Sequence, residues 1–272
     1  MKSILELIER KKQIYAQLPL FTFMADTSLD PRKRLAFAPC MAHFIMSFGD
    51  LNKYVFRNNA DTRSVQQLVN EHTYEDDHHY PWFLTDLNKL GFNTSKGFVD
   101  TLRFLWGDDT PITRQLSYQL AAYTFNAEPI YKVAVIEAIE ATGNILFSLT
   151  SKVAQELQAL NQQEYQYFGQ FHFNLENGHA AKSCESEQLL ESLVLTEAEQ
   201  RFAIELVEKV FDIFTAWTDE LLAYAQKEGD ASQLSDSQIS GNHISASQFV
   251  DSRSRHSHPT TVIYANDVLN AS

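Results

Sequence analysis

The residues best suited to chemistry fall in two short stretches. The first reads Glu71-His72-Thr73-Tyr74-Glu75-Asp76-Asp77-His78-His79, and the second carries His172, Glu176 and His179. In a helix each residue turns by about 100°, so Glu71, Glu75 and His78 fall within an arc of roughly 60°. His172, Glu176 and His179 repeat the same offsets of zero, four and seven. Two helices would thus each present a vertical stripe of three potential ligands. His72 and His79 are turned by roughly 80–100° from Glu71 and face another side of that helix. A third segment offers Glu137 and Glu140, three residues apart and close to one face.

Carboxylates and imidazoles without thiolates suit iron or manganese. Three ionised carboxylates crowded together repel one another, and two divalent ions would more than neutralise them. The flanks are aromatic: His78 precedes Tyr80, Trp82 and Phe83, and His172 lies in Tyr167-Phe168-Gly169-Gln170-Phe171-His172-Phe173. Ionisable groups buried among such rings are costly unless paired or metal-bound. Trp82, Tyr167, Phe168 and Phe171 are candidate wall residues for a substrate cavity, or plain packing. Helical bundles build dinuclear centres in this way, from i, i+3 and i+4 ligands on facing helices.

The elements that must carry these groups are helices. Glycine and proline are scarce and fall between long periodic segments. The pattern predicts helices over 2–17, 30–56 (capped by Asp30 before Pro31), 62–90, 95–106, 110–126, 129–160, 162–180 and 196–227. Pro81 should break or kink the third just before it. Thr196 and Glu199 form a capping box for the last. His43, alone on the apolar second helix, reads as a core histidine. From Gly229 the composition turns to Ser, Asn, Gln and Asp, so 1–228 reads as one helical domain and 229–272 as a polar, mobile tail. His256 and His258 fall in that tail, and Val262-Ile263-Tyr264 is its apolar patch.

A net charge of −13 argues against nucleic-acid binding. No apolar run approaches the roughly 20 residues of a membrane span, and no leader is evident at Met1-Lys2-Ser3. Cys40 and Cys184 make neither a disulfide framework nor a zinc motif. The expectation is a cytoplasmic protein without a membrane partner, and Cys40 is expected to be a packed thiol. A homodimer is the default expectation for assembly.

At these residues the chain resembles the haem-oxygenase-like diiron oxidase and oxygenase superfamily. That family's pattern is Glu, six residues, His; a Glu on a later helix; then His, three residues, Asp or Glu, two residues, His. Glu71 to His78 matches the first part, and His172, Glu176 and His179 match the last, with Glu176 where many members have Asp. The middle Glu fits Glu140 best, because Ile139-Glu140-Ala141-Thr142-Gly143-Asn144 is similar to the Leu-Glu-Gly-Ser-Thr-Leu-Gly stretch of this fold. Glu75 stands where some members carry a further carboxylate.

The resemblance covers roughly 30–228. It implies an all-α, haem-oxygenase-like bundle of about seven helices without haem. It implies two iron ions held by Glu71, His78, Glu140, His172, Glu176 and His179, with Glu75 as a further ligand or an outer base. It also implies O2 as co-substrate, an external electron donor, and oxidation of a small, partly apolar substrate resembling a fatty acid or an amino acid. Manganese or a mixed pair would satisfy the same residues. Two alternatives remain at this stage. A metal-free, thiaminase-like hydrolase of the same fold would need a cysteine nucleophile, for which neither Cys40 nor Cys184 has a suitable setting. A non-catalytic helical binding or scaffold protein would make the ligand stripes coincidental.

Overall fold

The computed structural model describes residues 1–93, 97–180, 189–190 and 192–241, with side chains except at 176–180 and 229–241. Cys184, His256, His258 and the 262–264 patch lie outside these residues. Among the described residues the fold is all-helical. The helices are α1 (Lys2–Tyr15), α2 (Pro19–Ala25), α3 (Pro31–Arg34), α4 (Ala42–Leu51), α5 (Ser64–Asp76), α6 (Tyr80–Lys89), α7 (Phe98–Leu105), α8 (Pro111–Thr124), α9 (Pro129–Asn161), α10 (Gln170–Ala180) and α11 (Glu197–Gly241). The chain divides into two compact units, Met1–Ser232 and Gln233–Ser272, and the first carries the site.

Proline sets many of the boundaries. Pro19, Pro31, Pro81, Pro111 and Pro129 each stand in the first turn of a helix, where a missing N–H costs nothing. Asp30 accepts from the Arg32 backbone N–H at 2.7 Å, the N-cap its position predicts. The stretch expected as one helix over 62–90 breaks into α5 and α6 at 77–79, before Pro81. The stretch expected as one helix over 30–56 is instead α3, a 3-10 turn at Ala38–Met41 containing Pro39, α4 and a π turn at Asn52–Phe56. The capping box forms as expected: Glu199 Oε2 accepts from Thr196 N at 2.7 Å, and Thr196 Oγ1 from Glu199 N at 3.3 Å. The helix it opens continues past Gly229 to Gly241, further than its composition suggested.

The core is organised on α9, which packs against α1, α2, α3, α5, α8 and α10. By length and composition α9 could cross a membrane, but most of its apolar stretch is buried inside this bundle. Its apolar residues therefore serve the core. Two buried cations fix its position. Arg34 forms an ion pair with Glu156 and donates to the Met24 carbonyl at 3.2 Å, joining α2 and α3 to α9. Lys132 donates to the carbonyls of Val55 and Phe56 at 3.1 and 2.9 Å, tying α9 to the end of the π turn after α4. The last helix closes the bundle through Trp217 and Phe214, both edge-on to Phe44 of α4. Trp217 Nε1 also donates to Thr113 Oγ1 at 2.8 Å, so the buried indole N–H is satisfied.

Candidate metal centre

The break between α5 and α6 is the first part of the site. Arg57 clamps it, donating to Thr73 Oγ1 at 3.0 Å, to the Thr73 carbonyl at 2.7 Å and to Asp77 Oδ2 at 2.6 Å. Gly49 of α4 lies hard against the same junction. A Cβ at Gly49 would sit 2.8 Å from the Asp77 carbonyl oxygen, so only glycine permits this approach. With the junction held, Asp76 ends α5 and His79 becomes the N-cap residue of α6.

His72 Nε2 lies 3.0 Å from Asp76 Oδ2 and 3.5 Å from Glu140 Oε1, and the ligand atoms of these three residues all lie within 4.8 Å of one another. Donors bound at right angles to one ion, each at about 2.1 Å, are themselves about 3 Å apart. The other carboxylate oxygen, Asp76 Oδ1, is 4.0 Å from His79 Nδ1, which faces His172 Nε2 at 3.2 Å. Asp76 thus presents one oxygen to His72 and Glu140 and the other to His79 and His172. His72, Asp76, His79 and His172 are buried, and Glu140 is mostly so.

His172 Nδ1 lies 2.9 Å from the Tyr167 carbonyl oxygen. A carbonyl only accepts, so Nδ1 carries the proton and Nε2 is left with a lone pair when the ring is neutral. Burial pushes the His172 pKa down to about 4, which keeps that ring neutral. The turn before α10 makes this geometry possible. At Gly169 a Cβ would come within 1.9 Å of the Tyr165 carbonyl oxygen, so the tight approach requires glycine. Aromatic rings enclose the imidazoles: Trp82 stacks on His79 at 4.6 Å, and Phe147 and Tyr167 lie 4.1 and 4.9 Å from the His172 ring.

The donors end a cavity of about 70 Å³ between α4, the α5–α6 junction, α9, α10 and α11. Asp76, His79, Glu140 and His172 line one part of it, and Phe44, Ile45, Phe48, Leu146, Phe147, Phe214 and Trp217 supply apolar walls. Gly143 also lines it, with the Phe147 ring 3.6 Å from where a Cβ would stand. At roughly 10–15 Å³ per enclosed water, the space admits a small molecule or a few waters. In donor chemistry and spacing, His72, Asp76 and Glu140 could hold a divalent transition ion.

Two of the residues expected from the sequence, Glu140 and His172, meet in this cluster. Glu176 and His179 fall on α10, one and two turns beyond His172, but their side chains lie outside the described residues. Glu71, Glu75 and His78, expected as a ligand stripe on α5, are exposed and are not among the residues lining the cavity. The residues facing inward are His72, Asp76 and His79, each one position further on. Val69 and Thr73 are also buried, so the core-facing side of α5 is the side carrying 69, 72, 73 and 76. Two signals in the sequence mark it. Val65 and Val69 set the apolar phase, and His72, Asp76 and His79 repeat the His, acid, His order and spacing of His172, Glu176 and His179. Glu137 shares α9 with Glu140, and it is Glu140 whose carboxylate reaches His72.

Of the expected wall residues, Tyr167 lines the cavity, Trp82 backs His79, Phe168 is buried against Phe83, and Phe171 is half exposed with Trp82 at its edge. His43 lies apart from the cluster, half-buried between the rings of Trp106 and Tyr118. Cys40 is fully buried, its thiol 3.5 Å from the Asp109 carbonyl oxygen, and burial pushes its pKa up. It does not line the cavity.

No family model matches the sequence, and no curated protein matches it. Among solved structures the chain is similar to a domain of unknown function with a haem-oxygenase-like fold from Shewanella denitrificans OS217. The TM-score is 0.57 at 14% identity, over 83% of this chain and 91% of that one. The chain therefore has the haem-oxygenase-like fold. Its buried group of His72, Asp76 and Glu140 has the composition and spacing of a candidate metal site within that fold.

Proposed function

We propose that the protein is a non-haem, iron-dependent oxidase or oxygenase that oxidises a small, partly apolar substrate with O2. The observation that carries this reading is a group of five donors beside an apolar cavity that four of them line: Asp76 between His72 and Glu140 on one side and His79 and His172 on the other. Glu176 and His179 join the proposed ligand set on the strength of their sequence spacing alone. A pair of ferrous ions, when bound, supplies the electrons and open coordination positions that dioxygen chemistry requires.

The protein's own residues would then do three things. Asp76 and Glu140 would balance cationic charge, with one Asp76 oxygen toward His72 and the other toward His79. His172 is held in one tautomer by Tyr167, which aims its Nε2 without competition from a proton. Phe44, Phe48, Phe147, Phe214 and Trp217 exclude water and offer a surface for the apolar part of a substrate. Glu75, exposed and outside the cavity lining, is not assigned the base role that the family resemblance suggested. A thiaminase-like reaction would need a cysteine at the cavity, and Cys40, the cysteine among the described residues, does not line it.

The test is anaerobic loading with ferrous iron followed by exposure to O2 in an oxygen electrode. The proposal expects rapid, iron-dependent O2 uptake by the wild type, and much slower uptake by an Asp76→Ala variant. Iron-loaded wild type that consumes no more O2 than the variant would count decisively against it.

A further inference from the structure

Asp86 is fully buried, and its carboxylate reaches neither the cavity lining nor an ion-pair partner closer than 3.8 Å, the distance to Lys89 Nζ. Its acceptors are spent on three consecutive backbone N–H groups. Oδ1 accepts from Gln166 at 3.1 Å, and Oδ2 from Tyr167 at 2.8 Å and Phe168 at 3.0 Å. Burial pushes the Asp86 pKa up, while these three N–H donors favour its ionised form. The segment it holds is the one whose Tyr167 carbonyl fixes the His172 ring. Lys89 adds a second tie to the same turn, donating to the Glu164 carbonyl at 2.6 Å.

Asp86 and Lys89 both stand on α6, and α6 begins beside His79. One short helix therefore carries His79 at its start and, two turns later, the carboxylate that orients His172. His79 Nδ1 and His172 Nε2, 3.2 Å apart, are thus linked through α6 as well as through the packing of α10 on α9.

We propose that Asp86 is a positioning residue for the His79–His172 half of the metal centre, acting through the 166–168 backbone and the Tyr167 carbonyl. This rests on the metal-centre reading for its purpose, but its geometry can be tested without metal. The role predicts an uneven effect: loss of Asp86 should release His172 and empty its half of the centre, and leave the His72–Asp76–Glu140 half in place.

The experiment compares metal-free, 15N-histidine-labelled wild type with Asp86→Asn, taking His172→Gln to assign the resonance. Long-range proton–nitrogen spectra should show His172 in the wild type as a single Nδ1–H tautomer, and in Asp86→Asn as a mixture, with helical circular dichroism unchanged. In parallel, cobalt(II) titration should fall from two equivalents in the wild type to one in the variant. An Nε2–H tautomer in the wild type would overturn the proposal, and that reading holds even if Asp86→Asn fails to fold. An unchanged tautomer in a folded variant would also overturn it, whatever the cobalt count. If the wild type takes up no cobalt, the metal reading fails on its own, and the tautomer comparison still decides whether Asp86 orients His172.

Discussion

His172 owes its orientation to the chain immediately before it. Its Nδ1–H is taken by the Tyr167 carbonyl, burial keeps the ring neutral, and Nε2 is left facing His79. His72 is placed differently, between two carboxylates at 3.0 and 3.5 Å. At this scale the account turns on a register of one residue along α5. Ala substitutions at His72, Asp76 or His79 should weaken ferrous or cobalt binding by more than the roughly 10–100-fold typical of outer-shell changes. Ala at Glu71, Glu75 or His78 should leave it nearly unchanged. Calorimetric metal titration of the six variants reads this directly, and equal losses in both sets would contradict the inward face assigned here. The ligand types and their zero, four, seven spacing were legible in the sequence. The phase was harder to read, because Glu71 and His72, like His78 and His79, are equally plausible ligand types, and only the apolar spacing of Val65 and Val69 and the repeated His, acid, His order mark the side that burial of Val69 and Thr73 shows to face inward.

Among the elements, the α5–α6 break and the approach of α4 to it matter most. Two glycines give opposite expectations. Gly49→Ala puts a methyl 2.8 Å from the Asp77 carbonyl, and forcing the junction apart should cost about 1–3 kcal/mol. Gly143→Ala meets only the Phe147 ring at 3.6 Å and sits inside α9, so lower chain entropy should stabilise the protein by about 0.5–1 kcal/mol while narrowing the cavity. Urea denaturation of the two variants checks both signs. The break before Pro81, the capping box at Thr196 and the long α9 follow from local rules that sequence carries openly. The splitting of 30–56 follows the same local rule at Pro39, while the start of α10 at Gln170 is set beside a turn held by tertiary contacts. Asp86 reaching across to the 166–168 backbone is one such contact, and no local pattern announces it.

For the whole molecule, the bundle brings acidic and imidazole groups from α5, α6, α9 and α10 to one end of an apolar cavity. Asp76, Asp77 and Glu140 line this cavity, with no Lys or Arg among the described lining residues. Asp77 is paired with Arg57, and cations bound at Asp76 and Glu140 should act as stabilisers. At a free concentration 100 times its dissociation constant, a bound ion adds about 2.7 kcal/mol. For a domain of this size that raises Tm by roughly 5–10 °C. Anaerobic thermal denaturation with ferrous iron, and again after chelation, should show this rise and its reversal. The central claim is tested most directly by anomalous diffraction from crystals loaded with iron or manganese. The account predicts two anomalous peaks flanking Asp76, one about 2.0–2.4 Å from donor atoms of His72 and Glu140 and the other at the same distance from His79 and His172. Peaks at Glu71 and His78, or a fully loaded crystal with no peak beside Asp76, would contradict it.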